Sequence, residues 1–157
     1  MSFDLTNKNI SATFQNLLQQ TGSDNALYDL EGNLVEESEW KVNPAGFIIH
    51  SAVHSNKKNA HCVMHTHTNA GMAMAALKKG LINIDFSGSA FHNRVAYHDF
   101  EGITVMDDEK QRLINNFGSK ILMILRNHGL LTIGRSIPEA FFNMWCLFFF
   151  LLFCVRF

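Results

Sequence analysis

Cys62-Val63-Met64-His65-Thr66-His67-Thr68 decides how this chain is read. From Ala60 to His67 the residues alternate as a strand does. Cys62 and Met64 point one way, and Val63, His65 and His67 point the other. Two imidazoles therefore share a face. A third, in Asn127-His128-Gly129, falls in a turn between the apolar runs Ile121–Leu125 and Leu130–Ile133. Three histidines with a fourth position left open are what a catalytic divalent metal asks of a protein, with zinc first among the candidates. The plainer reading is one satisfied core histidine and one surface histidine. The tight turn carrying His128 favours a site, because loops at strand ends are where sites usually sit. His50 and His54, at i and i+4, form a rival pair on one helical face, but no nearby glutamate makes them a zinc-protease motif. Cys62 faces away from the histidines and is rejected as a ligand.

The elements around this strand spell a mixed α/β domain. Asp29–Val35 reads as two short strands about a Gly32-Asn33 turn. Asn43 and Pro44 open a helix through Phe47, Ile48, Ile49, Ala52 and Val53, and Thr68 or Asn69 caps a second helix, Ala70–Lys79, which Gly80 stops. A strand at Ile103–Met106 precedes Asp107-Asp108-Glu109, acidic residues suited to the start of a helix that ends at Gly118. Ser136-Ile-Pro-Glu139 has capping-box spacing and starts the last helix. Of the other histidines, His61 and His92 read as surface or loop residues, and His98, next to Asp99, as an Asp-paired structural one ahead of a contact to substrate or to a metal ligand. Asp99 and Glu101 are candidate acids or bases that the sequence alone does not position.

A chain of 157 residues that is 47% hydrophobic suits one globular domain with a real core. A net charge of −1 offers no field for nucleic acid or an anionic membrane. Cys62, Cys146 and Cys154 are odd in number and lack CxxC spacing, which points to reduced thiols and a cytoplasmic location. The N-terminus has no signal-peptide pattern. Residues 1–28 are weakly patterned, with at most a short helix around Ala12–Gln20, and 29–143 form the domain proper. From Met144 to Val155 no polar residue occurs. This stretch is too short for a membrane span, which takes about 20 apolar residues. A buried core helix, a membrane or aggregation-prone tail, and an end produced by truncation or a shifted reading frame all compete. The abrupt change after Asn143 favours the last, so 144–157 is set apart as an anomalous tail.

Four motifs in order then carry a resemblance: Asn43-Pro-Ala-Gly-Phe-Ile-Ile-His50, Cys62–Thr68, Val95-Ala-Tyr-His-Asp-Phe-Glu-Gly102 and Ile124-Leu-Arg-Asn-His-Gly-Leu-Leu-Thr-Ile-Gly134. Together, over roughly 29–143, they resemble the class II aldolase/adducin domain, closest in wording to its adducin-like bacterial branch. The resemblance implies a three-layer α/β/α sandwich, incomplete here at both ends, that self-associates into symmetric oligomers. It also implies a divalent metal, zinc or another ion, on His65, His67 and His128. The chemistry implied is of the lyase type: a small hydroxy-carbonyl, sugar-like substrate cleaved with stabilisation of an enediolate.

The chain departs from the family pattern at one chemical position. Family aldolases place a proton-transferring glutamate at the start of the helix before the His-x-His strand, and an ungapped count puts Gly46 there. Glycine transfers no proton, and Glu39 could serve only if its loop folded back. The glycine- and serine-containing turns that hold substrate phosphate in the family are also not found in residues 1–28. The competing expectation is therefore a noncatalytic, adducin-like domain kept for association, although the basic tail of eukaryotic adducins has no counterpart here.

Overall fold

The computed structural model of the chain describes residues 28–37, 42–81, 86–102 and 107–155. The segments expected at Ala12–Gln20 and Ile103–Met106, and the side chain of Glu39, lie outside these residues. In chain order the elements are α1 (Pro44–Asn56), β1 (Cys62–Thr66), α2 (Asn69–Ala76), α3 (Phe86–Ser89), β2 (Val95–His98), α4 (Asp107–Phe117), β3 (Leu122–Leu125), β4 (Gly129–Gly134) and α5 (Ile137–Val155).

The local signals act as their chemistry predicts. The Asn43 side chain accepts from the Ala45 and Gly46 amides, and Pro44 occupies the first turn of α1, where a missing N–H is harmless. Thr68 caps α2 through the Gly71 amide. That helix stops at Ala76 with Leu77 as its C-cap, so the expected extension to Lys79 is corrected: Lys78 and Lys79 form a turn, and Gly80 takes a left-handed φ of 64° only after it. At the last helix Ser136 Oγ accepts from the Glu139 amide at 3.3 Å, while Glu139 accepts the Arg135 amide and guanidinium, each at 3.0 Å. The two strands expected in Asp29–Val35 are also corrected. A single bridge joins Tyr28 to Leu34, and the Asp29 carboxylate gathers the Glu31 and Asn33 amides, a side-chain turn that competes with strand pairing.

The four strands lie in the order β1-β4-β3-β2. β2 and β3 run parallel with α4 between them in sequence, whereas β3–β4 and β4–β1 are antiparallel. Every residue of β3 and β4 is buried, as strands covered on both faces require. On one face Val63, Ala96, Met123, Leu125, Leu131 and Ile133 pack with Ile49 and Val53 of α1 and Leu113 and Phe117 of α4. On the other, Leu122, Ile124 and Leu130 pack with Ala70 and Met74 of α2 and Met144, Leu147, Phe150 and Leu151 of α5. The fold is the expected three-layer α/β/α arrangement.

The apolar stretch from Met144 continues α5 without a break. Although apolar all round, it has an inner face: Met144, Leu147 and Leu151 recur at helical spacing and are buried on the sheet, while Trp145 and Phe149 are exposed. From Met144 to Leu151 the stretch set apart as a tail thus packs on the sheet as part of the last helix. No helix among the described residues is long and apolar enough to cross a membrane.

Candidate metal centre and its adjoining cavity

β1 and β4 pair so that His65 lies opposite Leu131. The His65 Nδ1–H donates to the Leu130 carbonyl at 2.8 Å, which turns the Nε2 lone pair away from the sheet. Its Nε2 stands 2.7 Å from His67 Nε2, one residue beyond the end of β1. His128 joins them from the β3–β4 turn. The three ring centroids are separated by 4.6, 4.7 and 4.7 Å, and one nitrogen from each ring lies within 4.8 Å of the others. The structure thus brings the three sequence-selected histidines together as a set that could hold one metal ion.

Backbone anchors position His128. Asn127 adopts a left-handed φ of 54°, and its amide donates to the Ala75 carbonyl at 3.0 Å. The Arg126 amide donates to the His98 carbonyl at 2.8 Å, and the Arg126 guanidinium lies over the Tyr97 ring and reaches the Leu77 carbonyl. Gly129 is needed for a different reason. A Cβ there would stand 2.5 Å from the Thr66 carbonyl oxygen, 3.0 Å from the His67 ring and 3.2 Å from the His65 ring. Only glycine lets the turn approach both β1 histidines this closely.

Burial favours the neutral form of His65 and His128. Burial, helped by repulsion from His128 and His67 and opposed by the Leu130 carbonyl, pushes His65 down to about 4. Burial and His67 lower His128, and burial with His54 and His65 nearby takes His50 down to about 3. Neutral imidazoles keep the lone pairs that a cation needs, so the donor set fits a divalent ion. The same shifts set the acid stability. A histidine whose folded pKa is depressed contributes stability above its unfolded value of about 6.5, and that contribution fades as pH falls towards the folded value. Metal-free protein is expected to weaken progressively from about pH 6.5 down to pH 4. Urea unfolding across that range checks this, and His50→Gln should flatten the slope.

The other histidines are placed elsewhere. His54 donates through Nδ1 to the Ala60 carbonyl at 2.8 Å, and its ring centroid stands 6.3 Å from that of His50, farther apart than any two rings of the triad. Cys62 is buried, and burial raises its thiol to about 11. The reading of His98 as Asp-paired is corrected. Its Nε2 faces Glu109 at 3.4 Å and Glu101 at 3.8 Å, and its Nδ1 accepts from Asn116 Nδ2 at 2.9 Å. Asp99, Glu101 and His98 all line a cavity of about 190 Å³ that also includes His128, Arg126 and Glu109. Gly46 sits in the first turn of α1, next to Ala45 in the wall of that cavity, and a Cβ there would meet only Asn43 Cβ at 3.9 Å.

Glu109 is the residue that reading the sequence for caps overlooks. Although three acidic residues open α4, Glu109 shares the buried stripe of Leu113 and Phe117 at i, i+4 and i+8. A carboxylate in phase with an apolar stripe was the available signal.

With this geometry in view, the relationships are clear. The family model for the class II aldolase and adducin N-terminal domain matches residues 9–151. The chain belongs to the class II aldolase/adducin family. This aldolase/adducin domain superposes on an aldolase II superfamily protein from Pseudomonas syringae with a TM-score of 0.80 and 39% identity, over 83% of this chain and 53% of the other. It superposes on an L-fuculose 1-phosphate aldolase from Glaciozyma antarctica PI12 with a TM-score of 0.72 and 30% identity, over 86% and 52% respectively. Alpha-adducin of Mus musculus is 42% identical over 125 residues, which are 78% of this chain and 17% of that protein. The chain spans about half the length of the bacterial curated relatives it matches.

Proposed function

We propose that the domain holds one divalent metal ion, zinc first among the candidates, on His65, His67 and His128. We further propose that it performs lyase-type chemistry on a small, sugar-like hydroxy-carbonyl. The observation that carries this reading is the convergence of three imidazoles, one nitrogen each, within 4.8 Å of one another. When bound there, such an ion supplies a Lewis acid that stabilises the negative charge developing as a bond next to a carbonyl breaks. The protein's share is positional: the Leu130 carbonyl sets the tautomer of His65, and Gly129 lets the turn close on both β1 histidines. The aldolase from Glaciozyma antarctica supports a sugar-like substrate.

Elemental analysis of the purified chain tests the first part, with about one divalent ion per chain expected. Retro-aldol assays on phosphorylated and unphosphorylated hydroxy-carbonyls test the second. Bound metal without cleavage of any substrate would favour the alternative, a noncatalytic adducin-like scaffold. Gly46, a residue without an acid next to Ala45 of the cavity wall, and the likeness to alpha-adducin speak for that alternative.

Self-association belongs to either reading. Phe141, Phe142, Trp145 and Phe149 are all exposed on α5, an apolar stripe of the kind that a second protein surface covers. The double variant Phe142→Glu/Trp145→Glu is expected to shift the chain towards monomer in sedimentation experiments, with little loss of folded-state stability because both side chains already face out. An unchanged oligomer distribution would place the association surface elsewhere. The three free thiols, with Cys62 held protonated by burial, fit the proposed cytoplasmic location.

A further inference from the structure

We propose that Glu109 is the proton-transferring residue of this site, acting through Oε2 on a substrate seated in the cavity beside His128. This rests on the reading of the site as a hydroxy-carbonyl lyase. The carboxylate of Glu109 is 91% buried, its side chain being 9% exposed. Its two oxygens differ in what they do. Oε1 accepts from the His98 Nε2–H at 3.4 Å, and His98 is itself oriented by Asn116 Nδ2, which donates to its Nδ1 at 2.9 Å. Oε2 has no hydrogen-bond partner among the described residues. A buried carboxylate oxygen without a protein partner is costly, and a native structure that keeps one gives it a role, a ligand or a bound water.

The surroundings of Glu109 give that oxygen a use. Glu109 and His128 line the same cavity of about 190 Å³, together with Ala45 next to Gly46. The wall that carries no acid on α1 thus faces an acid supplied by α4. His98 holds the carboxylate through one oxygen and leaves the other without a protein partner, on a residue that lines the cavity. Burial raises the pKa of Glu109, opposed by the His98 hydrogen bond and charge, reinforced by Glu101 and opposed again by Arg112. Such a carboxyl can hold a proton between two steps.

In the cleavage direction Oε2 takes the proton of the substrate hydroxyl, and the O–H electron pair becomes the second bond of the new carbonyl. The C–C bond breaks with its pair passing to the carbon beside the original carbonyl. The proton then returns from Oε2 to that carbon, so nothing is consumed besides the substrate. The partial reaction without cleavage is exchange of the α-hydrogen of a simple hydroxy-carbonyl with solvent.

The test compares wild type with Glu109→Gln in three measurements. These are metal content, deuterium uptake from D2O into hydroxyacetone and dihydroxyacetone by NMR, and infrared spectra of protein carrying isotope-labelled glutamate, with and without hydroxyacetone. Glu109→Gln is nearly isosteric, and thermal unfolding verifies its fold. The infrared comparison on labelled wild type needs no variant. Expected are unchanged metal content, exchange reduced by about 100-fold or more, and a glutamate carboxyl band that hydroxyacetone shifts in wild type and that is missing in Glu109→Gln. Exchange in a folded Glu109→Gln within a few-fold of wild type would overturn the proposal, as would a glutamate band indifferent to hydroxyacetone. If wild type binds no metal and exchanges nothing, the lyase reading itself fails. The infrared band then still decides Glu109: a shift keeps it facing a ligand in the cavity, and no shift removes it.

Discussion

His128→Ala is expected to lower divalent-metal affinity by more than about 100-fold, since losing even an outer partner of a metal ligand typically costs 10- to 100-fold. His65→Ala should do the same through a different element. The two variants break the site from opposite sides, one at the end of β1 and the other in the β3–β4 turn. A bystander imidazole would leave affinity unchanged when removed. Each variant should also bring any retro-aldol activity to background, because the two remaining nitrogens leave an ion without its third protein ligand. Titration calorimetry with zinc and elemental analysis after dialysis give the answer. Retention of stoichiometric metal by either variant would refute the three-histidine centre. His54→Ala is the matched control: its ring is committed to the Ala60 carbonyl, so metal binding should persist while the link from α1 to the start of β1 weakens.

Gly129→Ala carries the largest expected effect on the fold. The added methyl would stand 2.5 Å from the Thr66 carbonyl oxygen, a backbone atom that cannot swing aside as a side-chain tip can. β4 must then part from β1 at the pair beside His65, and β4 belongs to the fully packed centre of the sheet. Overpacking typically costs 1–3 kcal/mol, and this position is expected at about 3 kcal/mol or above because backbone must move. Metal affinity should fall with it, since the same methyl presses on the rings of His65 and His67. Gly46→Ala is the counterpart, with its Cβ in open space inside the first turn of α1; there alanine should stabilise by about 0.5–1 kcal/mol. Urea denaturation of the two variants measures the contrast. Equal effects would show that the turn is not held as tightly as its geometry states.

Several elements could be read from nearest neighbours alone. Asn43-Pro44 and Thr68 start their helices because the bonds they make reach only two or three residues along the chain. β3 and β4 announced themselves as short apolar runs, which suit strands covered on both faces. The errors arose where a local signal had a competitor. Asp29 drew the amides of its own turn away from strand pairing, and Leu77 ended α2 before the lysines. After Asn143 the sequence is apolar on every face, so periodicity could not show which side packs; the sheet surface chose Leu147 and Leu151 and left Trp145 and Phe149 outside.

For the site the division follows the range of the interactions. Strand alternation placed His65 and His67 within reach of each other, and the Asn-His-Gly turn and the family motifs added His128, because those statements concern neighbours along the chain or a pattern of letters. That the His128 turn closes on β1 depends on the pairing of β1 with β4 and on the room left at Gly129, neither of which is a local property. Glu109 shows the same limit. Its letter looked like one more acid at a helix start, and packing α4 against β2 turned it inward onto His98, in the lining of the cavity, with one oxygen left unpartnered. Short-range hydrogen bonding and alternation are written residue by residue. The surroundings of a buried charge are set by whichever distant segments the hydrophobic core brings against it.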